Sequence, residues 1–306
     1  CGMCQAVCPV FAETMREGDV ARGKIALLEN LAHEMIHDAE GVQHKLNMCL
    51  LCGSCAANCP SGVKVLDIFL KARVIVNTYM GLSPTKKAIF KGLLTKPALF
   101  NSLLDVASKF QGLFTKPASD VIGSSCARIQ APVIGDRHFM PLAKKSLRKL
   151  VPSMSTRQGK SGYRVAFFPG CVVDKIYPQV GQAALKVLEH HEVGVYLPAG
   201  QACCGIPALS SGDKESFDQL VLHNLELFEK EHFDYLLTPC ATCSATIHEI
   251  WPLMSGDKKE SVRDRIQAMA ERTMDIGQFL VDVLHVETPI QGSGMRVTYH
   301  DPCHLK

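Results

Sequence analysis

The sequence predicts an α+β multidomain chain, a small helical domain followed by an α/β domain, and three observations predict it. Cysteine runs in residues 1–82 are interleaved with apolar stripes at helical spacing. From about residue 163 the apolar periodicity changes to strand, helix, strand. Most of those strands then run directly into a cysteine-bearing turn.

In residues 1–82, Ile25, Leu27, Leu28, Leu31, Met35 and Ile36 mark one helix, started near Arg22-Gly23 and carrying its stripe over 25–36. Ile68, Phe69, Ala72, Ile75 and Val76 mark a second over 66–80, and both are expected to pack around cluster-bearing loops. Residues 83–162 read as a helical connector and basic linker. Ser83-Pro84 caps a helix carrying Lys86, Lys87 and Lys91. Pro97 opens another whose Leu99, Phe100, Leu103, Leu104, Val106, Ala107 and Phe110 form a broad apolar face. That face is expected to pack on a neighbouring domain, with a membrane-surface or partner-docking role as the alternative. Lys144, Lys145, Arg148, Lys149, Arg157 and Lys160 follow with no acid between Arg137 and Asp174, a solvated linker by default or a contact for anionic headgroups.

Residues 163–290 form the third domain. A strand at 164–168 ends at Pro169-Gly170, followed by a helix over 177–191, a strand at 193–197, a helix over 213–231, a strand at 235–238 and a last helix over 261–284. Cys171 and Cys240 therefore stand at strand carboxyl ends, the edge of an open α/β sheet where ligands bind. Residues 291–306, with a strand at 296–299 delivering Cys303, read as the start of a second copy. The opening cysteine and the abrupt end read as a fragment lacking sequence on both sides.

A length of 306 residues is ample for about two domains, and a net charge of +3 from 33 basic and 30 acidic residues gives no reason to expect a nucleic-acid partner. No run of 18 apolar residues is present, so any membrane contact is expected to be peripheral or through another subunit. Fourteen cysteines could signal disulfides, but their C-x2-C spacings and the lack of a visible signal peptide point to a reducing, cytoplasmic setting.

All but two of those cysteines fall into two patterns. Cys49, Cys52, Cys55 and Cys59-Pro60 read C-x2-C-x2-C-x3-C-P, and Cys1, Cys4 and Cys8-Pro9 repeat that run without its first cysteine. A [4Fe-4S] cube needs four thiolates, and in two-cluster ferredoxins the cysteine before proline ligates the other cluster. One cluster then takes Cys49, Cys52, Cys55 and Cys8, and the other Cys1, Cys4 and Cys59 with a fourth ligand expected upstream of residue 1. Zinc favours two separated cysteine pairs, unlike these runs. The second pattern is Cys171, Cys203-Cys204-Gly205 and Cys240-x2-Cys243. Adjacent cysteines suit side-by-side irons better than one ion, and Gly205 permits a tight turn that a side chain would block. A four-cysteine zinc site with one free thiol stays open.

With both patterns in place, the chain resembles the glycolate oxidase iron-sulfur subunit family, and also the iron-sulfur subunits of D-lactate and anaerobic glycerol-3-phosphate dehydrogenases. Phe168-Pro169-Gly170-Cys171, Cys203-Cys204-Gly205, Pro239-Cys240-Ala241-Thr242-Cys243, Cys59-Pro60-Ser61-Gly62 and His300-Asp301-Pro302-Cys303-His304-Leu305 carry the resemblance over nearly the full length. It implies a helical ferredoxin-type domain and a cysteine-rich CCG domain, with Cys303 opening a second CCG site. CCG domains of heterodisulfide reductases hold a non-cubane [4Fe-4S] cluster on such a set of five. The expected role is electron transfer from an FAD-containing partner that oxidises glycolate or lactate toward a quinone or a membrane-bound acceptor. The rival is a catalytic subunit that reduces a disulfide at the CCG cluster, and a third class is a regulatory zinc protein.

No G-x-G-x-x-G or phosphate loop is present, so flavin and nucleotide are not expected on this chain. His33-Glu34-Met35-Ile36-His37 spells the H-E-x-x-H of zinc proteases, but a short connector leaves no room for an enzyme around it, and the match is read as coincidence. Cys126 belongs to neither pattern and is expected to be a free thiol. His190, His191, His223, His248 and His300 are expected to be surface or capping residues, and Trp251 a core residue.

Overall fold

A computed structural model describes residues 1–119, 123–128, 137–287, 294, 296, 298, 299 and 302–304. The second-copy start expected at 291–306 falls largely outside them, as does His300, and Arg296, Thr298 and Tyr299 of the strand expected at 296–299 are described without strand structure. The described chain separates into two compact units. The first comprises Cys1–Lys91, Gly205–Gln219 and the described residues after 295, and the second comprises Gly92–Cys204 and Leu220–Met295.

The first unit is helical. Its principal helices are α1 (Ala21–Ala32), α2 (Ala39–Asn47) and α3 (Val65–Met80). Val20, Val42, Leu46, Leu51, Val65, Phe69 and Leu70 form its buried apolar centre. Burying a side chain such as Phe69 or Leu70 contributes roughly 1.5–3 kcal/mol. Gly23 lets α1 approach the turn before it, because a Cβ there would lie 2.0 Å from the Glu17 carbonyl oxygen. Asp38 caps α2 by accepting from the Gly41 amide at 2.8 Å. From α3, Asn77 donates to the Gly212 carbonyl at 2.9 Å and Arg73 to the Ser210 carbonyl at 2.6 Å, which fastens residues 205–219 to this unit.

The helix expected over 25–36 ends earlier, at Ala32. Glu34 takes a left-handed φ of 57°, and the amides of Met35 and Ile36 both turn back to the Asn30 carbonyl, closing the helix end. His33 and His37 consequently do not share a helix face, so the H-E-x-x-H letters lack the geometry a zinc protease requires.

The second unit is built on a five-stranded sheet of order β3-β5-β4-β6-β7. Its strands are β3 (Met154–Ser155), β4 (Arg164–Phe167), β5 (Gly194–Leu197), β6 (Tyr235–Thr238) and β7 (Thr273–Asp275). β4 pairs in parallel with β5 and β6, β6 with β7, and the short β3 closes the far edge antiparallel to β5. Val165, Phe167, Val195, Leu197 and Leu237 meet Leu185 and Leu188 of the helix Pro178–His190 on one face, together with Phe279. The alternate residues face the other way, where Phe168 stacks on Phe228 at 5.7 Å between ring centres. A parallel sheet covered on both faces reads as short continuous apolar runs, and β4 to β6 do.

The structure adds strands that the periodicity does not show. The single helix expected over 261–284 is a helix at Glu260–Glu271, then β7, then short helical turns. Asp275 interrupts it by accepting from the Gly277 amide at 2.7 Å, which starts a new turn just after β7 pairs with β6. The connector also contains a hairpin, β1 (Thr115–Ser119) with β2 (Ser124–Ala127), and Cys126 sits half-buried in β2 without a disulfide. The long helix Pro97–Phe114, hereafter α4, departs from expectation too: Leu99, Leu103, Val106 and Phe110 are exposed rather than packed. Its polar residues hold it instead. Gln111 both donates to the Leu142 carbonyl and accepts from the Leu142 amide, at 2.8 and 2.9 Å. Arg148 is likewise no solvated linker residue, because it turns inward to Asp174. Among the described residues no helix is long and apolar enough to cross a membrane.

Candidate functional site

In the first unit the cysteine runs surround two cavities. Cys8, Cys49, Cys52 and Cys55 line one, with Val7, Leu51 and Phe69. Cys1, Cys4 and Cys59 line the other, of about 200 Å³, which Cys55 also borders. The cysteine before each proline thus lies with the opposite run. The thiol of Cys59 is held below its usual value by the backbone amides of Val63, Ser61 and Gly62, a loop that favours a thiolate. Burial pushes Cys55 up to about 11, aided by the neighbouring Cys49 and Cys52, and burial also raises Cys49.

Two cations face these thiols. Lys24 is fully buried, lines the cavity of Cys49 and Cys8, and donates to the Asp19 carbonyl. Arg73 donates to the carbonyls of Leu46 and Cys49, the latter at 2.7 Å. Burial lowers the pKa of both cations, Lys45 adding to the effect at Lys24, and the nearby Cys49 sulfur works against that loss. Such a setting fits an anionic, thiolate-bound group, because two buried cations call for negative charge that neutral thiols do not carry.

In the second unit five thiols gather at the carboxyl edge of the sheet. Cys171 follows β4, Cys203-Cys204 follow β5, and Cys240 and Cys243 follow β6. The sulfurs of Cys171 and Cys203 are 4.0 Å apart. Cys203 also bonds Cys204, and Cys243 bonds both Cys204 and Cys240, so the five form one string. Hydrogen bonding splits their acidities: the Cys203 thiol lowers Cys171, and the Cys243 thiol lowers Cys240 to about 7. Cys203 and Cys243 are pushed well up by the same bonds and by burial. Among the described residues no three His, Cys, Asp or Glu side chains gather as a site for one metal ion.

Neighbouring groups hold this string in place. Gly170, at a φ of 71°, leaves room for Cys243, whose sulfur a Cβ would meet at 2.7 Å. Gly205, at a φ of 96°, makes the turn after Cys204, and a Cβ there would press on the Phe217 ring at 2.7 Å. The fully buried Asn224 accepts from the Ala202 amide and donates to the Cys203 carbonyl, both at 2.9 Å. Trp251, buried as expected, donates its Nε1–H to the Cys204 carbonyl at 2.9 Å. Arg148 shares a small cavity with Cys171 and Cys203 and pairs with Asp174 at 3.2 Å. Burial lowers its pKa, while the carboxylate of Asp174 and the sulfur of Cys171 favour its charge. His223 and His248 bond the Gly200 and Ala270 carbonyls at 2.8 and 2.9 Å and serve as loop ties. Cys303 is exposed.

Family comparison agrees with this layout. Residues 1–63 match the 4Fe-4S dicluster domain, and residues 165–248 match the cysteine-rich CCG domain. The probable glycolate oxidase iron-sulfur subunit of Bacillus subtilis is 31% identical, the match covering all of this chain and 70% of that protein. This chain belongs to the glycolate oxidase iron-sulfur subunit family. Its relatives include a subunit of the CoM/CoB fumarate reductase of Methanothermobacter marburgensis, 27% identical over the whole chain and half of that protein. Lactate utilization protein A of an Exiguobacterium strain is 36% identical over 46% of this chain and 57% of its own length. The chain thus spans between half and 70% of the relatives it matches end to end. It is an iron-sulfur protein of the kind found as oxidoreductase subunits. No solved structure matches it.

Proposed function

We propose that this chain is the electron-transfer subunit of a flavin-dependent 2-hydroxy-acid dehydrogenase, for which glycolate and lactate are the substrate candidates. It would take electrons from an FAD-containing partner and pass them to a quinone or another carrier, working at the cytoplasmic side. The gathering of five thiols at one sheet edge carries this reading, because such a string suits a polynuclear iron site. Cys8, Cys49, Cys52 and Cys55 would hold one [4Fe-4S] cluster, Cys1, Cys4 and Cys59 would supply ligands to a second, and Cys171, Cys203, Cys204, Cys240 and Cys243 would hold a non-cubane third. Bound clusters of this type supply one-electron chemistry. Lys24, Arg73 and Arg148 offset the negative charge that such thiolates carry. The two-electron step is assigned to the partner, since the sequence offers no dinucleotide fingerprint.

The test is anaerobic capture of the protein from its host, followed by flavin analysis of what binds. Addition of glycolate or D-lactate to the captured complex should bleach the iron-sulfur absorbance. The string of five thiols itself favours a second reading, disulfide reduction at the CCG site. Thiol-disulfide turnover by the isolated chain, with no flavoprotein captured, would establish that reading in place of the first.

A further inference from the structure

We propose that the outer face of α4 docks on an anionic membrane surface. An ordinary surface helix buries its apolar stripe, whereas α4 half-buries only Phe100, Leu104 and Ala107 of that stripe and leaves the rest of it open. Here Leu99, Leu103, Val106, Phe110, Leu113 and Phe114 face solvent, with Leu113 and Phe114 69% and 62% exposed. The polar side is pinned to the protein. Asp105, the only acid of the helix, accepts from Ser146 at 3.4 Å and pairs with Lys149 at 3.3 Å and Lys175 at 3.7 Å, and Gln111 grips both backbone groups of Leu142. These inward contacts fix which side faces out.

Charge identifies the occupant. Lys109 is the one ionisable residue on the exposed side of α4, and Lys96 and Lys116, both exposed, stand just beyond its two ends. Among the described residues of α4 the one acid, Asp105, is turned inward and already paired. An apolar ridge about 25 Å long at 1.5 Å per residue, flanked by Lys96, Lys109 and Lys116, complements acyl chains beneath anionic headgroups. A protein groove taking this ridge would have to match a border of cations, and flotation with vesicles separates it from lipid. The apolar spacing runs for two heptads, short of what a coiled coil with a second copy needs.

The same helix touches the thiol site from its inner side. Pro97, Phe100 and Asn101 line one cavity with Cys171, Cys203 and Arg148. A docked α4 therefore sets those sulfurs about one helix diameter, roughly 10–12 Å, from the lipid. This last step rests on the electron-transfer reading and gives the acceptor a class, a lipid-dissolved one; the docking itself stands on α4 alone.

The experiment is flotation of the full-length polypeptide with vesicles of mixed phosphatidylglycerol and phosphatidylcholine, and with phosphatidylcholine alone. The protein should float with the anionic vesicles, less so in high salt, and the double variant Leu103→Glu, Phe110→Glu should bind at least about tenfold more weakly with unchanged circular dichroism and iron content. A Cys240→Ser variant should float like the parent, so docking is read even where the electron-transfer role fails. Failure of the parent to float, or equal flotation of the double variant, overturns the proposal. So does a dimer in sedimentation that the double variant converts to monomer, since the stripe would then serve a second copy.

Discussion

Gly170 and Cys243 are so close that a methyl group on Gly170 would meet the Cys243 sulfur at 2.7 Å. Its φ of 71° adds a second reason for glycine. Gly170→Ala should therefore displace one thiol of the five and empty the CCG site of metal. We expect about four fewer irons per chain, with the absorbance of the N-terminal clusters retained. An unchanged iron count would mean that Cys243 is not a ligand.

Asn224 and Trp251, 21 and 47 residues downstream, hold the carbonyls of Cys203 and Cys204. Replacing Trp251 with Phe keeps most of the buried volume but strands one carbonyl, at a cost of about 1–3 kcal/mol. Asn224→Leu strands an amide and a carbonyl, so it should cost more. Thermal melting of the cluster-loaded protein, followed in the visible band, checks the order: parent above Trp251→Phe above Asn224→Leu.

The crossed arrangement of cysteines gives a sharp spectroscopic expectation. Cys8 lines the cavity of Cys49, Cys52 and Cys55, whereas Cys59 lines that of Cys1 and Cys4. Cys8→Ser should alter the same EPR signal as Cys49→Ser, and Cys59→Ser the other one. Pairing of Cys8 with Cys4 in one signal would refute the crossing.

Lys24 is a buried cation beside Cys8 and Cys49 that no other side chain replaces in that cavity. Lys24→Met removes a charge that favours the more negative, reduced cluster. Its midpoint potential should fall by tens of millivolts, on the order of 1 kcal/mol at an effective dielectric of about 20. A redox titration monitored by EPR reads this directly, and the potential of the Cys1, Cys4 and Cys59 site should move less.

The cysteines that gather were legible as two spaced sets, and β4, β5 and β6 because an enclosed parallel sheet needs unbroken apolar runs. The groups that tune and hold the site were not. Lys24 reads as the polar side of a helix and Arg148 as part of a basic linker, since burial of a charge depends on partners far away in sequence. Asn224 lies 21 residues beyond the Cys203 carbonyl it bonds, and no local pattern connects them. Gly170 did carry a signal, a glycine immediately before Cys171, yet only the position of Cys243 gives it meaning. The apolar stripe of α4 was visible as a stripe, but its outward direction is set by Asp105 and Gln111, which periodicity does not weigh.

The most direct measurement is iron, acid-labile sulfide and zinc analysis with Mössbauer spectroscopy on anaerobically purified protein, parent against Cys240→Ser, Cys243→Ser. The account predicts about eight irons from the two N-terminal sites at full ligation, plus a further iron-sulfur spectrum that the double variant loses. Zinc at the five thiols, or a Mössbauer spectrum identical in parent and variant, would contradict it.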